Sequence, residues 1–374
     1  MELKGKFGTA KVFTDLVEPD AVSQIIAILN HPLVKDGDVR VMPDVHPGKG
    51  CTIGLTAHVR SGLIVPNMVG SDIACGVRTT LFRADNLDFK ALDEFITANV
   101  PNGAAVHNSK HSNAKRYAST FANVQELCSR YSFRKPERII ASLGTLGGGN
   151  HYVEIGRVDE DVLALSVHSG SRMLGQVVCD HFQNLATVDN SVGAVSADSG
   201  YLEGKLRDDY LAAVHVATEF ALVNRSLISD DILKFVRAHV LDSFDTMHNY
   251  VEALPNGDVV VRKGAVRANA GERLAIPLNM ADGVILGTGR GNADWNNSAP
   301  HGAGRLLSRH DAKAAISLEE FQRAMTGVQS WSVGSSTIDE SPLAYKPAAA
   351  ILDVIGDTVD VKTVVKPLYN FKSR

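Results

Sequence analysis

The chain is short of the features that mark several common protein classes. Its four cysteines, Cys51, Cys75, Cys128 and Cys179, are widely spaced and form no CxxC pair. That excludes a disulfide scaffold and fits a reducing cytosol, so a cytoplasmic location is expected. No stretch approaches the roughly 20 apolar residues that a membrane span needs. The opening Met1-Glu2-Leu3-Lys4 lacks the apolar run of a secretory signal. Neither sign of charge dominates, with 38 Lys and Arg against 42 Asp and Glu. Any nucleic-acid site must therefore be a local patch and not a global field. There is no HExxH, no EF-hand loop, no internal repeat and no Pro/Ser-rich linker. Gly144 to Gly149 lacks the Gly-Lys-Ser/Thr ending of a P-loop, and Gly287-Thr288-Gly289-Arg290-Gly291 is not GxGxxG.

What is present is glycine in clusters, at 48–54, 70–76, 144–149, 170–175, 283–291 and 302–304. Each cluster adjoins a short apolar run. Glycine lets backbone turn and approach a ligand closely, so several of these loops are expected to meet at one site. Ala21 to Leu29 reads as a short helix. Val162 to Val167 alternates as a strand, and 258–266 and 283–287 are strand-like. Residues 208–224 carry Tyr210, Val214, Ala217 and Ala221 at helical spacing. Strands and helices do not alternate strictly, which predicts α+β rather than doubly wound α/β. With 374 residues and no visible boundary, one compact unit is expected over 1–374.

Metal-ligand residue types lie beside these loops. Asp72 and Cys75 stand three apart in a turn. His151 follows Gly147-Gly148-Gly149-Asn150, His168 ends a strand before Ser169-Gly170, and His248 lies in Met247-His248-Asn249-Tyr250. One carboxylate, one thiolate and three imidazoles suit a mononuclear or a dinuclear Zn or Mn site. Taken singly, each is more often a structural histidine or a small buried cysteine. His31, His58, His107, His111, His181, His215, His239 and His310 have no such setting and read as surface or core residues.

His301 precedes Gly302-Ala303-Gly304. Its imidazole could attack phosphorus while backbone N–H groups at the glycines meet phosphate oxygens, although a turn with an incidental histidine has the same sequence. Basic residues are scattered close to these loops: Arg172, Arg262, Lys263, Arg267, Arg273, Arg305 and Arg309, with Lys362, Lys366, Lys372 and Arg374 at the end. Such residues pair with phosphates or form a solvated face.

Taken in order, these motifs resemble the RtcB family of GTP-dependent RNA ligases. The matching segments are Met42 to Gly50, Val69 to Gly76, Leu146 to Glu154, His168 to Gly175, His248 to Tyr250, Arg262 to Val266, His301 to Arg309 and Asp339 to Lys346. The resemblance implies an α+β domain with mixed sheets around a central metal and nucleotide cleft. It implies two Mn²⁺ ions held by Asp72, Cys75, His151, His168 and His248, with the Cys75 thiolate bridging. It implies GTP as the nucleotide and His301 as the nucleophile that takes GMP. Nucleotide-contacting positions would be Asn150, His151, Tyr152, Val153, Glu154, His248, Asn249, Pro277, Leu278, Asn279, Met280, Gly302, Ala303, Gly304, Tyr345 and Lys372. Glu154 would accept from the guanine edge. Arg172 and Lys263 would hold RNA phosphates.

The implied reaction joins an RNA 3′-phosphate, or an opened 2′,3′-cyclic phosphate, to a 5′-hydroxyl, in tRNA splicing or RNA repair. Two other readings stay open on the residues alone. One is a metal-dependent phosphoesterase that forms no adduct; the other is a non-catalytic RNA-binding subunit. The chain also departs from the family pattern. Pro277-Leu278-Asn279-Met280-Ala281 stands where Pro-Gly-Ser-Met-Gly is usual, Ser298-Ala299-Pro300 where Ser-Cys-Ser is usual, and Val284 where a serine is usual. The ending Phe371-Lys372-Ser373-Arg374 replaces Val-Lys-Gly.

Overall fold

The fold is carried by two large sheets with helices packed outside them. A computed structural model describes residues 1–109, 111, 114–186 and 197–373, so Arg374 lies outside the described residues. One sheet has six strands, in the order Glu2–Lys4, Thr9–Val12, Asp38–His46, Ile53–Val59, Val259–Lys263, Asn249–Ala253. The other has seven, in the order Arg273–Pro277, Val284–Gly289, Val359–Lys372, Tyr152–Arg157, Leu163–Ser169, Gly76–Arg83, His239–Met247. The seven-stranded sheet curls until its ends nearly meet: Ala275 N–H donates to Thr246 Oγ1 across the seam at 3.0 Å. A two-stranded ribbon, Ala265–Arg267 with Ser298–Pro300, links the two. The α+β expectation holds. The pairings in both sheets are antiparallel apart from Thr9–Val12 with Asp38–His46, and several neighbours, such as Gly76–Arg83 beside His239–Met247, are far apart in sequence.

The helix expected over 208–224 runs from Gly204 to Phe235, 32 residues. An exposed Lys205–Asp209 pair supports its extra first turns. By length and composition this helix is apolar enough to cross a membrane, contrary to the expectation that no segment would be. Its apolar length has another use. Tyr210, Ala213, Ala217, Phe220 and Ala221 are buried against the rest of the main core, and Asn224 and Arg225 are buried with them. Asn224 and Arg225 bind the backbone beneath the site. Asn224 Oδ1 accepts from Gly144 and Thr145 N–H at 2.7 and 3.1 Å. Arg225 Nη1 donates to Ala74 O and Ser169 O at 2.8 and 2.9 Å.

Candidate active site

Strand register is what gathers the metal-ligand candidates. Gly76 pairs with Ser169 on one side and with Met247 on the other, and Tyr152 pairs with His168. Cys75, His151, His168 and His248 each lie at, or one residue from, those paired positions, so the sheet brings them side by side. Cys75 is projected by a left-handed turn at Ala74 (φ 55°), and His248 N–H donates to Cys75 O at 2.9 Å. Cys75 Sγ lies 3.4 Å from His151 Nε2 and 3.3 Å from His168 Nε2. His168 Nε2 lies 3.4 Å from His248 Nε2. Asp72 Oδ2 lies 2.9 Å from His151 Nε2. Gly170 is required here, because a Cβ at that position would sit 2.0 Å from Asp72 Oδ1.

The protonation chemistry of this group suits a cation. His151 Nδ1 donates to Leu146 O at 2.8 Å, which turns Nε2 toward Cys75 and Asp72. Burial, reinforced by the neighbouring imidazoles, holds His168 and His248 well below the usual histidine range, so both are neutral. Burial alone would raise the Asp72 pKa, yet His151 and Arg172 bring it down to about 2. Burial and Asp72 push the Cys75 thiol up. A thiol and imidazole nitrogens facing one another at 3.3–3.4 Å form a donor set that fits a divalent ion.

His301 stands over this cluster. Its ring centroid is 4.9 Å from that of His248. Asp44, fully buried on the Asp38–His46 strand, accepts from His301 Nδ1 at 2.6 Å and from the His301 and Gly302 backbone N–H groups at 3.0 and 3.2 Å. Nδ1 is therefore the protonated nitrogen and Nε2 is free. Gly304 (φ +76°) packs on the Asp44 main chain, where a Cβ would come within 2.4 Å of Asp44 O. Lys346, itself buried, donates to Pro43 O and Val45 O at 3.0 and 3.2 Å, the carbonyls on either side of Asp44.

One cleft of about 710 Å³ opens above these groups. It is lined by Asp72, Cys75, His168, His248 and His301, and by Asn150, Tyr152, Glu154, Asn249, Pro277, Leu278, Asn279, Met280, Gly302, Ala303, Gly304, Tyr345 and Lys372. At its far end Glu154 is buried. Its Oε2 accepts from Asn370 Nδ2 at 2.9 Å and its Oε1 has no partner among the described residues. Burial pushes its pKa up to about 8. Lys372 bonds Asn150 O at 3.1 Å and Glu340 Oε2 at 2.6 Å, and Tyr345 OH donates to the same Glu340 oxygen at 2.7 Å. Arg309, half exposed, pairs with Glu340 and Asp339.

Four expected residues fall outside the cleft wall. Val153 faces the opposite side of its strand from Tyr152 and Glu154 and packs in the core with Leu146 and Leu165. His151 lies behind Asp72. The Lys263 ammonium, which was expected on RNA phosphate, is buried and donates to Lys49 O and Asn67 O, so its charge ties the loop at Lys49 to the short helix Pro66–Val69. Arg172 lies against Gly147, within 3.5 Å of His151 Nδ1, in a left-handed conformation (φ 55°). Val284 is a core residue paired with Pro277 and Val365. The residues that the sequence left without a role are Asp44, His46, Lys346, Glu340 and Asn370. Asp44 and His46 were visible in Met42-Pro43-Asp44-Val45-His46, but only the fold shows what they face.

A family model described as tRNA-splicing ligase RtcB matches residues 24–373. The chain belongs to the RtcB family. Similar relatives include RNA-splicing ligase RtcB of Escherichia coli K12, 33% identical, with 92% of each chain covered. RtcB2 of a second Escherichia coli strain is 28% identical, with 91% of this chain and 88% of the relative covered. tRNA-splicing ligase RtcB of Archaeoglobus fulgidus is 26% identical, with 95% and 91% covered. RtcB membership accounts for a Cys-His-His cluster beside a lone His-Gly-Ala-Gly histidine, and the cluster fits a metal cofactor.

Proposed function

We propose that this RtcB-family chain is a GTP- and Mn²⁺-dependent RNA ligase that joins 3′-phosphate or 2′,3′-cyclic phosphate ends to 5′-hydroxyl ends through a GMP–His301 adduct. The observation that carries the reading is the His301 ring. Asp44 keeps its proton on Nδ1, which leaves the Nε2 lone pair beside the Cys75–His168–His248 cluster.

A 3′-phosphate is a poor electrophile, because its charge repels nucleophiles and it carries no good leaving group. Attack of His301 Nε2 on the α-phosphorus of GTP forms a P–N bond and releases pyrophosphate. The phosphoramidate then passes GMP to an RNA 3′-phosphate oxygen, creating an anhydride. The 5′-hydroxyl displaces GMP from that anhydride and closes the strand. Two Mn²⁺ ions held by Asp72, Cys75, His151, His168 and His248 would offset charge on the phosphoryl groups. Asp44 takes the Gly302 N–H, so within the turn Ala303 and Gly304, which line the cleft, are the residues whose backbone N–H groups would meet phosphate oxygens. The orphan Oε1 of Glu154 is an acceptor for the N1–H or exocyclic amine of guanine, which adenine does not match.

Incubation with [α-³²P]GTP and Mn²⁺ tests this reading. Covalent label that is acid-labile, alkali-stable and absent from His301→Ala is expected. Release of phosphate from RNA ends without label, undiminished in His301→Ala, would replace it with phosphoesterase chemistry.

A further inference from the structure

His46 lines the same cleft as His301, and the mechanism above gives it no task. Its Nδ1 lies 2.9 Å from Asp44 O, so the ring proton sits there and Nε2 holds a lone pair. Among the described residues no protein group bonds that nitrogen. Asp44 thus sets two tautomers at once: its side chain fixes His301 and its main-chain carbonyl fixes His46. The two rings lie 6.4 Å apart, centroid to centroid, at 26°. Burial lowers the His46 pKa to about 4 against the pull of the Asp44 carbonyl, and His301 adds to the lowering, so the ring is neutral.

The three phosphoryl transfers differ in what their nucleophile must lose. The first uses the lone pair of His301 Nε2, which carries no proton. The second uses an RNA phosphate oxygen, which is already anionic. The 5′-hydroxyl of the third alone has a proton to shed. We propose that His46 Nε2 is the general base that accepts this proton during strand joining. The inference rests on the ligase reading above. In the step, the O5′–P bond forms, the P–O bond to GMP breaks with its electron pair leaving on GMP, and the hydroxyl proton passes to His46 and then to solvent. Phosphates of two RNA ends brought beside the ring stabilise its cationic form, so the loaded site makes it a better base than the empty one. A positioned base of this kind contributes roughly 10²–10⁴-fold.

The test uses the full chain with His46→Ala and His46→Gln, assayed for GMP labelling, for GMP transfer to an RNA 3′-phosphate, and for joining of preformed RNA-3′-pp-guanosine to a 5′-hydroxyl RNA. Joining is expected to fall by about 10²–10⁴-fold in both variants, with the two earlier transfers losing less than about tenfold. Added imidazole is expected to recover joining in His46→Ala. Joining at the parent rate in either variant would overturn the assignment. So would an equal loss in all three steps, which would place His46 behind Asp44 and His301 instead. Failure of the parent protein to take label at all would sink the ligase reading itself and is read before any variant is made.

Discussion

Asp44 Oδ2 accepts three hydrogen bonds from the nucleophile segment, and the shortest, 2.6 Å, is from His301 Nδ1. A fully buried carboxylate so placed sets both the ring's tautomer and its angle toward the cleft. Asp44→Ala removes all three bonds and is expected to slow GMP labelling by roughly 10²–10³-fold. Asp44→Asn keeps an oxygen that can accept the same bonds but loses the charge, so it should fall between. Single-turnover labelling at saturating GTP reads the effect. Equal rates for Asp44→Ala and the parent would remove Asp44 from the mechanism.

Cys75 Sγ is within 3.4 Å of two imidazole nitrogens, and His168 in turn faces His248. Replacing the sulfur takes away the donor common to both halves of the cluster. Cys75→Ala is expected to lose at least one bound metal and GMP labelling with it. His310→Ala, which alters an exposed side chain, serves as the control. Elemental analysis of purified protein gives the count. Full metal content in Cys75→Ala would show that sulfur is not a ligand.

Much of this site was legible before the fold was known, because its ligands sit in short motifs whose residue types are chemically unusual: a thiol three residues from a carboxylate, and histidines beside glycine. Strand and helix positions near 162–167 and 21–29 were legible by periodicity. Pairing was not. Nothing local to Gly76 says that Ser169 and Met247 flank it, and that register assembles the cluster. For the same reason Lys263 looked like a free phosphate binder, since a sequence does not reveal which cations are consumed by buried carbonyls. Val153 was read with its neighbours as a contact, although alternation along the strand turns it into the core.

Glu154 links stability to nucleotide choice. Its carboxyl has a pKa of about 8 in the fold against 4.5 as the ordinary value, so the fold favours the neutral form. A raised pKa contributes stability that is complete below about pH 4.5 and is lost as pH climbs through 8. Glu154→Gln cannot ionise, so its nucleotide-free form should keep stability that the parent loses between pH 5 and 8, on the order of 3–4 kcal/mol. Thermal melts across that range read the difference. Above pH 8, where the parent carries a carboxylate that Gln lacks, the same variant should weaken GTP binding by roughly 10–100-fold through the lost charged hydrogen bond, with little change for ATP. A parallel pH dependence in both proteins would show that Glu154 ionises normally in the fold.

Arg225 joins the long helix to the floor of the site. The guanidinium is fully buried, with Nε on Asp245 Oδ1 at 2.7 Å and Nη1 shared between Ala74 O and Ser169 O. Those two carbonyls belong to the residue before Cys75 and the residue after His168. Arg225→Met fills similar volume but leaves both carbonyls without their donor. Asp245 keeps Arg78, 2.6 Å away, so its own charge is not stranded. The loss should therefore lie toward the lower end of the roughly 3–5 kcal/mol typical of breaking a buried ion pair. Because the freed carbonyls flank two ligands, metal content should fall even at temperatures where the variant is folded. Urea unfolding and elemental analysis on the same sample separate the two effects. Retained metal alongside the expected stability loss would confine Arg225 to the core and deny it any hold on the cluster.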